Sequence, residues 1–351
     1  MSRRVAVQVT AGIVLAALVA VGALLPMPYV SLSPGPVFDT LGEQNGEPLI
    51  LIEGTTTYPT DGRLDLTTVS ESGGPRSRLG LLEAVKDWID PDAVVVPERT
   101  LYTGQETAEE VEQRNAEDME LSQENAVTAA MNQLGIPTTT EVVVRSIAQE
   151  APALGKLQAG DVILAVDGTL VTSAVQSRDL IRARAPGEDV SIRVRRETAD
   201  GPEELDEVVT TESSPADPAI AYIGIVPGEV QVPPFEVDLS LDRVGGPSAG
   251  LMFSLGIVDK LTAEQENGGK HVAGTGTIDA DGTVGPIGGI QQKLRGARDA
   301  GATVFLVPTE NCDDAAGAAV DGLRLVRVTT LSDALTGMAA AVAGQPAPTC
   351  G

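Results

Sequence analysis

The spacing of apolar and polar positions changes several times along the chain. Val5 to Leu25 is a mostly apolar run without a charge, preceded by Arg3 and Arg4. Its length is close to the ~20 residues that cross a bilayer. The positive cluster assigns residues 1–4 to the cytoplasm and everything beyond Pro26 to the outside. The expectation is a transmembrane helix at 5–25 behind a cytoplasmic stub at 1–4, in a single-pass cell-membrane protein whose bulk is extracytoplasmic. The competing reading is a cleaved signal peptide with a small-residue site at Val21-Gly22-Ala23. From residue 26 to about residue 97, apolar runs such as Leu49-Ile50-Leu51-Ile52 and Leu64-Asp65-Leu66-Thr67-Thr68-Val69 alternate with Gly, Pro and Thr clusters. That pattern predicts strands and turns, with one helical stretch at Leu79 to Ile89. Between Glu106 and Gly135, Ala126, Val127, Ala130, Met131 and Leu134 fall at helical spacing, and the pattern stops at Gly135 and Pro137. This predicts a connecting helix, and 26–124 is read as a β-rich segment leading into it.

Residues 138–198 hold a strand at Glu141-Val142-Val143-Val144, a strand within Leu157 to Gly168, a helix from about Ala174 to Ala185 and a strand at Val190 to Val194. Gly160-Asp161 makes a tight turn before the second strand, and Asp167-Gly168 closes the hairpin after it. Thr211 to Pro218 is a Ser/Pro-rich break. The stretch Ala151 to Gly168, APALGKLQAGDVILAVDG, resembles a PDZ domain of the bacterial protease-associated kind, which places that domain at 125–210. Such a fold binds an extended peptide by adding it beside an open strand edge. The resemblance puts the carboxylate-binding loop at Leu134-Gly135-Ile136, with Val142 and Val175 as further groove residues. A PDZ domain serving only as a spacer is the other reading.

Composition removes several classes of function. With 42% hydrophobic and 21% charged residues the chain is globular, and with 3% aromatics its cores are built from Val, Ile, Leu and Ala. A formal net charge of −26 repels a phosphate backbone, so nucleic acid is not an expected partner. His271 is the single histidine and Cys312 and Cys350 the only cysteines. No multi-histidine metal centre is available, and neither a metal nor a cofactor is expected. Outside a cell the two cysteines would pair, which makes Cys312 and Cys350 a disulfide candidate.

The chemistry gathers in the last third. Gly245-Gly246-Pro247-Ser248-Ala249-Gly250 precedes the apolar run Leu251 to Val258, so Ser248 is expected in the first turn of a helix. Backbone amides and the dipole of a helix start suit an oxyanion there; an ordinary N-cap serine is the alternative. Serine needs a base. His271 follows a polar loop with no neighbour in sequence to orient its ring, and reads as a strand-edge residue. Lys293 lies between Ile290 and Ala297 on the apolar side of a helix, where desolvation lowers the pKa of an amine. A lysine reaching out from the helix edge is the plainer alternative.

Four ordered blocks then carry a second resemblance: Gly246-Pro247-Ser248-Ala249-Gly250; Gly274-Thr275-Gly276-Thr277-Ile278; Gly282-Thr283-Val284-Gly285-Pro286-Ile287-Gly288-Gly289-Ile290-Gln291-Gln292-Lys293; and Ala302-Thr303-Val304-Phe305-Leu306-Val307-Pro308-Thr309-Glu310-Asn311. They resemble the proteolytic domain of Lon-type Ser-Lys peptidases, placed at 219–351. The resemblance implies Ser248 as nucleophile, Lys293 as base, Thr275 as a hydroxyl holding the amine, and Gly246 and Ala249 as supports of the turn. Full-length Lon has an acidic residue three positions before the serine, where this chain has Gly245; Asp242 lies six before it. No GxxxxGK[ST] phosphate loop occurs, so ATP is not an expected partner. The whole arrangement is similar to the membrane-bound PDZ-containing Lon-like proteases of Gram-positive bacteria, which implies self-assembly as a homo-oligomer. The fold expectation is therefore α/β (α+β) and the function an ATP-independent, membrane-anchored serine endopeptidase for extracytoplasmic proteins or peptides. A non-catalytic, membrane-tethered PDZ scaffold is the alternative.

Overall fold

Strands from both ends of the chain meet in one sheet. The structure, a computed structural model, describes residues 3–24, 26–104, 106–241, 244–318 and 320–350. Its main elements in chain order are α1 (Arg3–Leu24), β1 (Tyr29–Asp39), β2 (Arg63–Gly73), α2 (Leu81–Ile89), β3 (Val94–Pro97), α3 (Ala108–Leu134), β4 (Thr139–Ile147), β5 (Val162–Val166), α4 (Ala174–Arg182), β6 (Asp189–Thr198), β7 (Gly201–Thr210) and β8 (Ile225–Val232). They continue with α5 (Gly250–Leu261), β9 (His271–Gly274), α6 (Ile290–Asp299), β10 (Val304–Pro308), α7 (Cys312–Gly317), β11 (Arg324–Val328) and α8 (Leu331–Val342).

The fold is mixed α/β, but the transmembrane helix expected at 5–25 is corrected. α1 forms, yet among the described residues no helix is long and apolar enough to cross a membrane. The helix takes Arg3 and Arg4 into its first turn, and Gln8, Thr10 and Gly12 dilute its apolar character. The cell-membrane placement, the anchoring and the cytoplasmic stub at 1–4 rested on that span and are withdrawn with it. Residues 1–2 and 25 lie outside the described residues.

The chain separates into two compact units, one made of residues 1–136 and 235–351 and the other of 137–234. The second unit is thus inserted into the sequence of the first, at points other than the divisions at 124/125 and 219 that the sequence suggests. In the discontinuous unit the sheet order is β11-β10-β9-β2-β1-β3. The C-terminal strands β9, β10 and β11 pair in parallel. β2 also runs parallel to β9, from Arg63 opposite His271 to Leu66 opposite Gly274, and then pairs antiparallel with β1. Leu64 and Leu66 are fully buried in the same core as Met252, Leu255, Val272 and Leu306. α5 is buried on every side from Gly250 to Asp259, as expected of a helix that is apolar all round. α3 begins with a capping box between Thr107 and Glu110 and ends at Gly135 in the left-handed conformation.

Cys312 and Cys350 form a disulfide, 38 residues apart in sequence. Closing a loop of that length contributes on the order of 4 kcal/mol by chain entropy. Peptide mapping of unreduced protein should recover a linked Cys312–Cys350 peptide; two freely alkylated thiols would contradict the pairing.

In the inserted unit the sheet order is β7-β6-β5-β4-β8. Val142, Val144, Ile163, Val166, Ile192 and Val194 form its core. The predicted Gly160-Asp161 turn is locked by the buried Asp161 carboxylate, which accepts from Arg196 Nε and Nη2, both at 2.6 Å, and from Gln158 N at 2.8 Å.

Candidate active site

The turn before α5 is tied to α3. Gly246 N donates to Asn115 O at 2.8 Å, and Ser122 Oγ donates to Pro247 O at 2.9 Å. Gly246 has φ +85°, a backbone conformation that glycine adopts without a Cβ penalty. Ala249 is the N-cap residue of α5 and makes no side-chain cap. Ser248 therefore stands just ahead of the helix rather than in its first turn, and its hydroxyl is not used as a cap.

Lys293 reaches that hydroxyl from α6. Its Nζ donates to Ser248 Oγ at 2.9 Å and to Thr275 Oγ1 at 2.9 Å. Thr275, directly after β9, is fully buried, and its hydroxyl donates to Ser248 O at 3.1 Å. The Lys293 side chain is buried against the core with 3% of the residue exposed. Desolvation alone lowers its pKa from the ordinary 10.5 to about 7, so a large neutral fraction exists near neutrality. The structure thus brings Ser248, Thr275 and Lys293 together, and Gly246 and Ala249 lie in the turn that carries Ser248. Asp242 lies outside the described residues.

Ser248 and Lys293 open into a groove of about 1000 Å³. Pro286 to Gly289 form part of its wall, and Leu32, Val69, Ser70 and Glu71 form another part. Those N-terminal residues were not legible as site residues, because nothing in their own pattern marks them apart from other strand positions. His271 is not at the site. It starts β9, at the far end of that strand from Thr275, and its Nε2 lies 2.5 Å from Oδ2 of the fully buried Asp65. Arg63 donates to the other oxygen of the same carboxylate from Nε at 3.1 Å and Nη2 at 2.9 Å.

The peptide-groove residues expected in the inserted unit need correction. Leu134 ends α3, Gly135 is its C-cap, and Leu134 and Ile136 pack on the core of the discontinuous unit. They form no loop of the inserted unit. Val142 is 2% exposed on β4, between β5 and β8, so its side chain belongs to the core. Val175 is exposed on α4. Of the two outer strands of this sheet, β7 and β8, it is β8 that has α4 beside it, with Ala174 N donating to Glu229 Oε1 at 2.9 Å. Tyr222-Ile223-Gly224 leads into this edge, and Gly224 has φ +81° with no room for a Cβ, which would meet Ala151 Cβ at 2.1 Å. A glycine between apolar residues directly before a strand was the signal available in the sequence.

Two family profiles match. Residues 113–206 match the PDZ domain, and residues 243–339 match the Lon protease (S16) C-terminal proteolytic domain. Lon protease 1 of Sorangium cellulosum is 38% identical over 93 residues, covering 26% of this chain and 11% of that protein. Lon protease 2 of Bacillus subtilis is 34% identical over 95 residues, covering 26% of this chain and 16% of that protein. The chain therefore spans well under a fifth of the length of these relatives. Among solved structures, the PDZ domain of the SdrC-like protein from Listeria innocua is 27% identical with a TM-score of 0.21, covering 25% of this chain and 92% of that one. The chain carries a PDZ domain and a Lon-type serine peptidase domain.

Proposed function

We propose that the protein is an ATP-independent serine endopeptidase acting on extended protein or peptide segments, with Ser248 as nucleophile and Lys293 as general base. The carrying observation is the 2.9 Å contact between Ser248 Oγ and a buried amine whose pKa falls to about 7. When Lys293 is neutral, its lone pair accepts the Ser248 proton as Oγ bonds to the scissile carbonyl carbon. The resulting oxyanion develops at the start of α5, where backbone amides precede the helix and its dipole favours negative charge. Lys293, now an ammonium, returns the proton to the leaving amine as the peptide C–N bond breaks. Deacylation repeats the sequence with water in place of serine. Thr275 holds Nζ in line throughout. The open edge of β8 beside α4 supports a role for the inserted unit in taking up an extended substrate segment by strand addition. Independence from ATP rests on the absence of a phosphate-cradling GxxxxGK[ST] loop from this sequence.

A serine-directed fluorophosphonate should label Ser248 in the wild-type protein and leave Ser248→Ala unmodified, and peptide cleavage should proceed without nucleotide. An unlabelled protein that cuts no peptide, or labelling that persists in Ser248→Ala, would sink this reading.

A further inference from the structure

Asn311 takes no part in the Ser248 and Lys293 chemistry, yet its side chain is spent on one residue of the groove wall. Oδ1 accepts from Ile287 N at 2.9 Å and Nδ2 donates to Ile287 O at 2.9 Å. This is the pair of bonds a neighbouring strand would exchange with Ile287, supplied instead by one carboxamide. The wall needs it, because Pro286 to Gly289 belong to no helix or strand. The anchor is firm. Asn311 is 7% exposed and ends the short turn Thr309–Asn311, directly after β10, whose five residues are all buried. Thr309 Oγ1 donates to Val328 O at 3.1 Å, and Cys312 is fixed by its disulfide to Cys350.

Lys293, by contrast, does not depend on that clamp. α6 is seated by Ile290, Leu294 and Ala297 in the core, and Nζ is held by Ser248 and Thr275. Releasing Ile287 would therefore leave the amine in place. It would free a backbone N–H and C=O on the groove wall, where they would seek partners otherwise offered to a bound peptide.

We propose that Asn311 is a positioning residue of the substrate groove, fixing the Pro286 to Gly289 wall through Ile287 and so governing peptide binding rather than proton transfer. The proposal rests on the peptidase reading. With fluorescein-labelled oxidised insulin B chain as the probe substrate, Asn311→Ala should raise KM about tenfold, the effect of roughly one to two lost hydrogen bonds. kcat and its pH midpoint should stay near wild type, as should the rate at which a small fluorophosphonate labels Ser248. Asn311→Asp, which keeps an acceptor for Ile287 N but turns a carboxylate oxygen toward Ile287 O in place of the donor, should not restore the wild-type KM. Amide exchange at Ile287 should quicken in Asn311→Ala while β9 and β10 stay protected, which verifies the fold. Wild-type cleavage and labelling, measured first, decide the peptidase reading by themselves. An unchanged KM in an Asn311→Ala enzyme that labels at the wild-type rate overturns the positioning role alone, as does a kcat loss with a shifted pH midpoint.

Discussion

Lys293→Met is expected to lower peptide cleavage by about 10²–10⁴-fold, the range supplied by a positioned general base, while the fold is retained. Lys293→Arg should be equally inactive, because a guanidinium keeps its proton at any working pH. Methionine is the cleaner variant, since it fills a buried, apolar surrounding without importing a charge. The wild-type rate should rise with pH through about 7 and level off above it, following the neutral amine. His271→Gln should leave that profile in place, since His271 faces Asp65 rather than Ser248.

The same burial sets a sign for stability. Above pH 10.5 the amine is neutral in the folded and unfolded chains alike and costs nothing as a charge. As pH falls from 10.5 towards 7 the unfolded chain takes up a proton that the folded chain refuses, so stability is lost across that window and is level below it. The loss amounts to at most about 5 kcal/mol. Lys293→Met should therefore melt higher than wild type at pH 6–7, with the gain shrinking towards pH 10. A variant that cleaves normally, or a wild-type profile that ignores pH 7, would remove Lys293 from the mechanism.

The parts of the site that were legible in sequence are those whose information is local. Ser248 sits in a glycine turn ahead of an apolar helix, and Lys293 occupies the inner face of another, so residue type and helical spacing sufficed to nominate both. The rest depended on contacts across the chain. Thr67 Oγ1 donates to Gly274 O across 207 positions, and Asp65 meets His271 across 206. No pattern within β2 announces such a partner. The misplaced carboxylate-binding loop has a different cause. Gly135 between Leu134 and Ile136 looks like a binding loop, but a helix C-cap asks for the same residue, and α3 uses it that way. The division into compact units at 136/137 and 234/235 has no local mark for a related reason: an insertion leaves each half of its host looking like a separate segment. The β-rich stretch before residue 124 has strand periodicity, but periodicity does not say which sheet a strand joins.

Removing residues 137–234 and joining Ile136 to Phe235 through a short Gly-Ser linker should leave a folded unit whose Ser248 still labels. The fragment 219–351, the span that the Lon-type resemblance suggests as a domain, should fail to fold. Both expectations come from the membership of one sheet. The fragment lacks β1, β2 and β3, which strips the edge of β9 and opens the core at Leu49, Ile50, Leu64 and Leu66, each buried to 1% exposure or less. Truncating one such side chain to alanine costs about 2–5 kcal/mol, and a domain of this kind has only about 5–15 kcal/mol to lose. Losing all four together with the strand pairing exceeds that reserve. The excision removes a unit that has its own sheet and its own core, and Ile136 and Phe235 both already pack on the core of the host. Circular dichroism, thermal melting and Ser248 labelling on the two proteins decide the matter. A cooperative, labelled 219–351 fragment would show that the N-terminal strands are dispensable, and an unfolded excision variant would show that the inserted unit holds its host together.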